Sequence, residues 1–240
     1  MASTLYNNLM QIKTDLKQAE VYIKAIINHT EPRTWYTTTD MVHMWDAQYN
    51  LGLESQHSTS TSTITDLIGN VNLNINGTKT WYDKYLSYGT SSYVMSNSNI
   101  AFPQSCTIEM YAKWSSPKSN CYPLTVGSYQ GFGLSQYDGS KARYHQGGNG
   151  RGNFNFSMAT PSLLSFVKDT SSTRLYINGI LQGTINYTMD TYTAKLCFST
   201  ENGGGSITRV AQDIYNIRTY DKALTQEEIL SNYEIDIQRF

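Results

Sequence analysis

The stretch Thr173-Arg-Leu-Tyr-Ile-Asn-Gly-Ile-Leu-Gln-Gly-Thr-Ile185 decides how the rest of the chain is read. Leu175, Ile177, Ile180 and Leu181 flank an Asn178-Gly179 pair. A two-residue hairpin turn that matches the twist of its strands needs positive φ at both central residues, and Asn and Gly adopt it at the lowest steric cost. The run therefore predicts two antiparallel strands joined by a tight turn. Downstream lies Asp213-Ile-Tyr-Asn-Ile-Arg-Thr-Tyr-Asp-Lys-Ala-Leu-Thr-Gln-Glu-Glu-Ile-Leu-Ser-Asn-Tyr233. Here Ile214, Asn216 and Arg218 alternate with Tyr215, Ile217 and Tyr220, as in a strand. Thr225 then precedes Glu228 by three residues, a capping box that predicts a closing helix from Thr225.

The composition agrees with a β protein. The 240 residues suit one large β domain with an appendage. Charged residues are 15% of the chain and aromatic residues 12%, with 19 Tyr, so polar bulk comes from Ser, Thr, Asn and Tyr more than from ion pairs. A net charge of -1 offers no broad electrostatic footprint, and neither nucleic acid nor membrane is an expected partner. No apolar run approaches the roughly 18 residues of a membrane span, and the first residues carry no signal-peptide core, so no secretory route is expected. Cys106, Cys121 and Cys197 are of the wrong number and spacing for a disulfide framework and are expected as buried free thiols formed in a reducing cytoplasm.

Residues 3 to 29 follow a different period. Leu5, Leu9, Ile12, Leu16, Ala19, Ile23 and Ile26 recur at alternating steps of four and three, an a/d heptad seam. Ser3 can cap this helix of about seven turns, and Asn28-His-Thr-Glu-Pro32 ends it. The seam predicts assembly with copies of the same chain or docking on a scaffold protein. Ile at several seam positions leans towards a homotrimer.

The order of pieces from Arg174 to Tyr233 resembles the C-terminal half of laminin-G-like, or concanavalin A-like, jelly-roll domains, with their Ile-Asn-Gly hairpin and closing Ala-Leu-Thr-x-Glu-Glu-Ile helix. Met44-Trp-Asp-Ala-Gln-Tyr49, His57-Ser-Thr-Ser-Thr61, Asp66-Leu-Ile-Gly-Asn70, Tyr85-Leu-Ser-Tyr88 and Cys106-Thr-Ile-Glu-Met110 extend the likeness forward, to residues 40 to 235 in all. The resemblance implies a mainly β chain, a two-sheet antiparallel jelly-roll sandwich with a helix at each end, and a binding role more often than an enzymatic one. Leu9-Met-Gln-Ile-Lys-Thr-Asp-Leu-Lys-Gln-Ala19 is in turn similar to the helical opening of many tailed-bacteriophage virion proteins, with Asn28-His29 replacing the usual Lys-Gly. Together the likenesses imply a helical attachment segment, 1–33, and a displayed sandwich, 34–240.

Candidate chemistry is sparse. Glu234-Ile-Asp-Ile-Gln238 is similar to the Glu-x-Asp-x-x-Glu signature of laminarinase-like glycosidases, whose retaining mechanism needs two carboxylates about 5 Å apart. Arg239 stands in place of the second Glu, so Glu234 and Asp236 read as solvated tail residues and no catalysis is expected. His29, His43, His57 and His145 lack zinc spacing, and His57 and His145 read as surface or turn residues. No metal or cofactor is called for, although the family's rim calcium has loop oxygens of the right type in Asp138-Gly139, Asp190 and Glu201-Asn202. Gln146-Gly-Gly-Asn-Gly-Arg-Gly-Asn153 lacks the Gly-Lys-Ser/Thr of a phosphate loop and reads as a long flexible connection. A glycan site needs an exposed aromatic beside amide or carboxylate groups, and the candidates are Tyr137, Asp138, Tyr144, His145, Asn149, Arg151 and Asn153.

The function expected is that of a virion head-fibre, decoration or tail-associated protein, attached to a capsid or tail protein by its helix and adhering weakly to bacterial surface glycans. A purely structural virion protein and a bacterial lectin or glycosidase module are the alternatives. The heptad seam makes a direct prediction. Replacing Ile12 and Ile23 together by Asp should convert an oligomer to a monomer in light scattering while the far-ultraviolet dichroism of the sandwich persists.

Overall fold

The computed structural model describes residues 8, 10–17, 19, 34–54, 57–115, 121–128, 130–135, 141–187, 190–200 and 209–240. The chain forms two compact units, Met1–Thr38 and Thr39–Phe240. In the first, residues 10–17 are helical. Gln11 Nε2 donates to Asp15 Oδ1 at 2.8 Å one turn on, and Thr14 Oγ1 donates to the Met10 carbonyl at 3.0 Å. Ile12 and Leu16 are exposed, as is Ala19, whereas Leu5, Leu9, Ile23 and Ile26 lie outside the described residues.

Strands of the second unit run in chain order β1 (Met41–Asp46), β2 (Thr63–Ile64), β3 (Leu73–Asn76), β4 (Lys79–Trp81), β5 (Leu86–Tyr88) and β6 (Tyr93–Ser96). Next come β7 (Ile100–Phe102), β8 (Cys106–Ser115), β9 (Leu124–Val126), β10 (Phe132–Ser135), β11 (Lys141–Gln146) and β12 (Asn149–Asn155). Then follow β13 (Ser162–Lys168), β14 (Thr173–Ile177), β15 (Ile180–Ile185), β16 (Tyr192–Ala194), β17 (Leu196–Phe198), β18 (Ala211–Tyr220) and the C-terminal helix Gln226–Arg239. One sheet has the order β15-β14-β13-β8-β18-β5-β4, with β1 also paired to β18. The second runs β12-β11-β10-β9-β17-β6-β3-β2, and β16 pairs with β7. The strands pair antiparallel, and the two sheets enclose the core of a jelly-roll sandwich.

Alternation builds that core. Ile108, Met110, Ala112 and Trp114 of β8, with Leu164 and Phe166 of β13, meet Leu124, Phe132, Leu134 and Tyr144 of the second sheet. Cys106, Cys121 and Cys197 are buried free thiols. The predicted hairpin joins β14 to β15 with φ of 53° at Asn178 and 77° at Gly179. Asn178 does more than turn the chain, since its Oδ1 accepts from Leu163 N at 2.8 Å and ties the turn to β13. At the front of the sandwich the Asp66 loop is built around one carboxylate. Asp66 Oδ1 accepts from Met44 N, Ile68 N and Gly69 N at 3.0 to 3.2 Å, and Oδ2 accepts from Val71 N at 3.1 Å and faces His43 Nδ1 at 2.5 Å. Burial alone would raise the Asp66 carboxyl, but His43 and these amides outweigh it and hold it below the usual range.

The closing helix starts as the capping box dictates, with Glu228 N donating to Thr225 Oγ1 at 3.2 Å and Thr225 N donating to Glu228 Oε2 at 2.9 Å. It continues to Arg239, so Glu234–Gln238 is helical and not a tail. Asp236 corrects the expectation of a solvated carboxylate. It is fully buried against the outer face of the first sheet and receives Arg218 Nη1 at 3.0 Å and Nη2 at 2.7 Å. Arg218 Nε donates to Glu109 Oε2 at 3.0 Å, which also accepts from Asn232 Nδ2 at 2.8 Å, while Ser165 Oγ donates to Glu109 Oε1 at 2.9 Å. Period-two reading of the strand could place Arg218 on a face, but its partner comes from a helix packed later. Burial pushes the Glu109 carboxyl up, and Arg218 pulls it back. Arg218→Met would leave two buried carboxylates without a cation and should cost about 3–5 kcal/mol. Calorimetry should show the melting temperature falling by about 2–4 °C for each kcal/mol lost.

Candidate functional site

The glycine-rich run after β11 is a strand and not a flexible connection. β11 and β12 pair from Lys141 opposite Asn155 to Gln146 opposite Asn149, joined by Gly147 and Gly148 with φ of 59° and 75°. Two consecutive positive φ values make the turn that suits a two-residue hairpin. Glycine is a weak strand former, which hides the alternation from a sequence reading. A Cβ at Gly150 would lie 2.7 Å from Arg143 Cδ, so a larger residue there would push that exposed side chain aside.

This hairpin separates the candidate residues. Tyr144 faces the core, fully buried, with its hydroxyl donating to Gln146 Oε1 and accepting from Thr173 Oγ1 at 3.3 Å. Burial raises its phenol further from titration. His145 is equally buried, edge-on to Tyr122 at 5.9 Å between ring centroids. Neither side chain offers a face to a ligand, and His145 is not the surface or turn residue its glycine-rich neighbourhood suggests. Arg143 and Asn153 stand opposite each other and are exposed, as are Lys141 and Asn155. Opposite residues of an antiparallel pair share a face, so these four form a cation and amide ladder. Asn149 is exposed at the turn and donates to the Gly147 carbonyl at 3.0 Å. Tyr137 and Asp138 lie outside the described residues.

Arg151 sits where the β11–β12 register slips between Tyr144 and His145. Its guanidinium carbon lies 3.9 Å from the Tyr187 ring centroid, and Nη2 donates to the Tyr187 hydroxyl at 2.9 Å. Tyr187 follows β15, so this cation–π contact ties the edge of the second sheet to the edge of the first. Tyr187 remains 40% exposed. Asn149, Arg151 and Asn153 are therefore brought onto one edge strand, joined by Arg143 and Tyr187, which sequence reasoning missed. Asn155 was legible in principle, because Asn153 and Asn155 alternate with Phe154 and Phe156, whereas Arg143 is placed beside Asn153 only by the β11–β12 register. Tyr187 had no local signal, since 36 residues separate it from Arg151.

An amide and guanidinium edge with a half-exposed aromatic can fork onto vicinal hydroxyls or an acidic group. Among the described residues no three His, Cys, Asp or Glu side chains converge as metal ligands. Of the candidate calcium oxygens, Asp138-Gly139 and Glu201-Asn202 lie outside the described residues, while the Asp190 carbonyl accepts from Lys168 Nζ at 3.3 Å. His57 Nδ1 lies 2.9 Å from the Ala47 carbonyl, and its ring is edge-on to Trp81.

The model of the concanavalin A-like lectin/glucanases superfamily matches residues 88–230. No curated protein sequence matches the chain. Among solved structures, the chain is similar to Trypanosoma rangeli sialidase in complex with sialic acid, at 13% identity and a TM-score of 0.59 over 81% of this chain and 32% of that one. A mutant of that sialidase displaying trans-sialidase activity matches at 14% identity and a TM-score of 0.61, covering 81% and 32%. The binding domain of botulinum neurotoxin DC in complex with rat synaptotagmin II matches at 13% identity and a TM-score of 0.60, covering 82% and 51%. This chain thus spans a third to a half of those structures, and at such identity the likeness is one of fold.

His145 makes the site's scaffold sensitive to acid. Burial pushes its imidazole down from 6.5 to about 4. Above 6.5 both folded and unfolded chains hold it neutral. Between 6.5 and about 4 the unfolded chain takes up a proton that the folded chain refuses, so stability falls as pH falls across that window, by on the order of 3 kcal/mol. Denaturant midpoints of the wild type should decline from pH 7 to 4.5, and His145→Phe should flatten that decline.

Proposed function

The chain belongs to the concanavalin A-like lectin/glucanases superfamily, and on that premise we propose that it is a bacteriophage virion accessory protein displaying its sandwich for weak adhesion to bacterial surface glycans. Residues 1–33 form the attachment segment and 34–240 the displayed domain. The protein binds saccharide without turning it over. The observation that carries the adhesive reading is the β12 edge, where Asn153 stands opposite Arg143, Arg151 at the register slip packs on the half-exposed Tyr187, and Asn149 is exposed at the turn. Amides and a guanidinium on a rigid strand recognise pairs of hydroxyls in fixed orientation, and the aromatic supplies an apolar surface for sugar C–H groups.

The virion setting is supported by the wording of residues 9–19 and by the helical, exposed Ile12 and Leu16. A homotrimer joined through the heptad seam would carry three copies of one shallow site. Linking sites raises avidity over single-site affinity by roughly 10²–10⁴-fold, so a weak site suffices for adhesion. The receiving partner would be a capsid or tail protein that accepts the helix.

Biolayer interferometry against immobilised bacterial surface polysaccharides tests this reading with the full chain. Arg151→Ala combined with Asn153→Ala should lower the response at least about ten-fold, the loss expected for two hydrogen bonds to the ligand. The monomeric Ile12→Asp, Ile23→Asp protein should lose the slow dissociation while keeping the single-site affinity. A polysaccharide panel without a single response, or a response unchanged in the Arg151 and Asn153 variant, rejects adhesion through this edge.

A further inference from the structure

The outer face of the first sheet is only partly covered by the C-terminal helix, and the uncovered part is organised. Register places Thr80 opposite Ser87, Ser87 opposite Asp213, and Asp213 opposite Lys113. Directly opposed residues share a face, so β4, β5, β18 and β8 contribute one polar row. The neighbouring Trp81, Leu86, Gln212 and Ile214 are buried on the other face.

About 7 Å further along the strands, two residues away, lies a second row made of rings. Tyr82 and Tyr85 stack at 4.4 Å, Tyr85 meets Tyr215 at 5.0 Å, and Tyr215 meets Tyr111 at 5.4 Å. The register of β18 slips between Ile214 and Asn216, and Tyr215 in that slip turns towards the row. Phe240 closes it against Tyr111 and Tyr215 at 5.7 and 5.4 Å. Tyr111 and Tyr215 are buried, Tyr85 is half-buried and Tyr82 is 47% exposed, so the stacked row ends in one exposed ring.

On the other side of the polar row the face opens into a hollow of about 410 Å³, lined by Thr78, Thr80, Ser87, Ser91, Ser115 and Asp213. Small-ligand sites span roughly 300–1,000 Å³. The lining is mostly hydroxyl. Asp213 supplies the carboxylate, and its Oδ2 lies 3.8 Å from Lys113 Nζ, beyond hydrogen-bond distance, with the side chain 20% exposed. Lys79 also lines the hollow, with Nζ donating to Ser62 Oγ at 2.8 Å. Burial, and next Asp213, raises the Tyr215 phenol; burial, then Tyr82, then Asp213, raises that of Tyr85. Carboxylate and rings therefore feel one another across the face.

We propose that this hollow, the polar row and the exposed end of the tyrosine row beyond it form a second saccharide site, separate from the β12 edge and selective for neutral, hydroxyl-rich oligosaccharides. A sugar packed against Tyr82, the exposed end of the stacked rings, presents its hydroxyls to the row that starts at Thr80 and continues through Ser87 and Asp213. A carboxylate accepts two vicinal O–H groups at once, and strand-borne hydroxyls can both donate and accept. Asp213 opposite Lys113 gives the row no net charge with which to attract a uronate or a phosphorylated sugar, which the cationic ladder of β11 and β12 would favour. The two sites thus divide saccharides by charge.

The test uses full-length protein labelled with 3-fluorotyrosine, its ¹⁹F resonances assigned by single Tyr→Phe variants. The probes are maltohexaose, N-acetylglucosamine hexaose and oligogalacturonate, each at about 10 mM, enough to occupy a site of millimolar affinity. A neutral hexaose should shift Tyr82 and Tyr85, and Asp213→Asn should lower that affinity about ten-fold, the loss of a charge-assisted hydrogen bond. Tyr82→Ala, a change at an exposed ring, should lower it similarly, while both variants keep the wild-type response to oligogalacturonate at Tyr187. Three results overturn the second site: no shift of Tyr82 or Tyr85 with either neutral probe, a shift undiminished in Asp213→Asn, or a stronger shift with oligogalacturonate. A response of Tyr187 alone would leave adhesion through the β12 edge standing and remove this one.

Discussion

The planar fork of Arg218 holds the C-terminal helix to the first sheet, and the arrangement of both faces follows from it. Its two Nη groups engage Asp236 from the helix, and its Nε engages Glu109 from β8, all three side chains fully buried. A buried ion pair adds little over well-packed apolar residues, because desolvation consumes most of the Coulombic gain. Its value here is directional. A bidentate guanidinium accepts a carboxylate in one plane and one orientation, which fixes the helix in rotation and height. The helix ends are tied as well, with Gln226 Nε2 donating to the Gly179 carbonyl at 2.9 Å and Arg239 Nη2 lying 2.7 Å from Asp46 Oδ2.

Because the helix sits there, the middle of the first sheet is buried on both sides. β13 is buried along its whole length, Ser162–Lys168, and β8 from Cys106 to Ala112. Leu164 and Phe166 fill the sandwich core, while Ser165 and Glu109 belong to the polar layer beneath the helix. The helix end meets the β4–β5 turn, where Lys84 Nζ donates to the Arg239 carbonyl at 2.8 Å, and Thr80, Ser87 and Asp213 keep an open outer face. Phe240 is the boundary, since it packs on Tyr111 and Tyr215 where cover ends and exposed tyrosines begin. At the far edge of the second sheet, Arg151 and Tyr187 close the gap to β15 and hold the amide-bearing edge still. In the proposed display role, adhesion would grow with copy number more than with the affinity of one site.

Legibility followed the range of each interaction. The Asn178-Gly179 turn, the Thr225 and Glu228 capping box and the buried thiols were readable, because each rests on conformations or polarities set within a few residues. The run from Gln146 to Asn153 reads as a loop in the sequence, since its glycines weaken the strand signal that Asn153, Phe154 and Asn155 carry. Tyr144 and His145 read as accessible in the sequence for the same reason. Once the run is a strand paired to β11, their positions turn inward or beneath a neighbouring loop instead of towards solvent.

What the sequence by itself determined was the class of architecture: hydrophobic period, turn chemistry and helix caps are local, and together they specify antiparallel strands closed by a helix. What only the tertiary structure decided was which polar groups share a surface. Glu109 and Arg218 are 109 residues apart, and Thr80, Ser87, Asp213 and Lys113 come from four strands. Their meeting depends on sheet order and register, which are settled by burying two apolar faces against each other, and no spacing along the chain encodes that outcome.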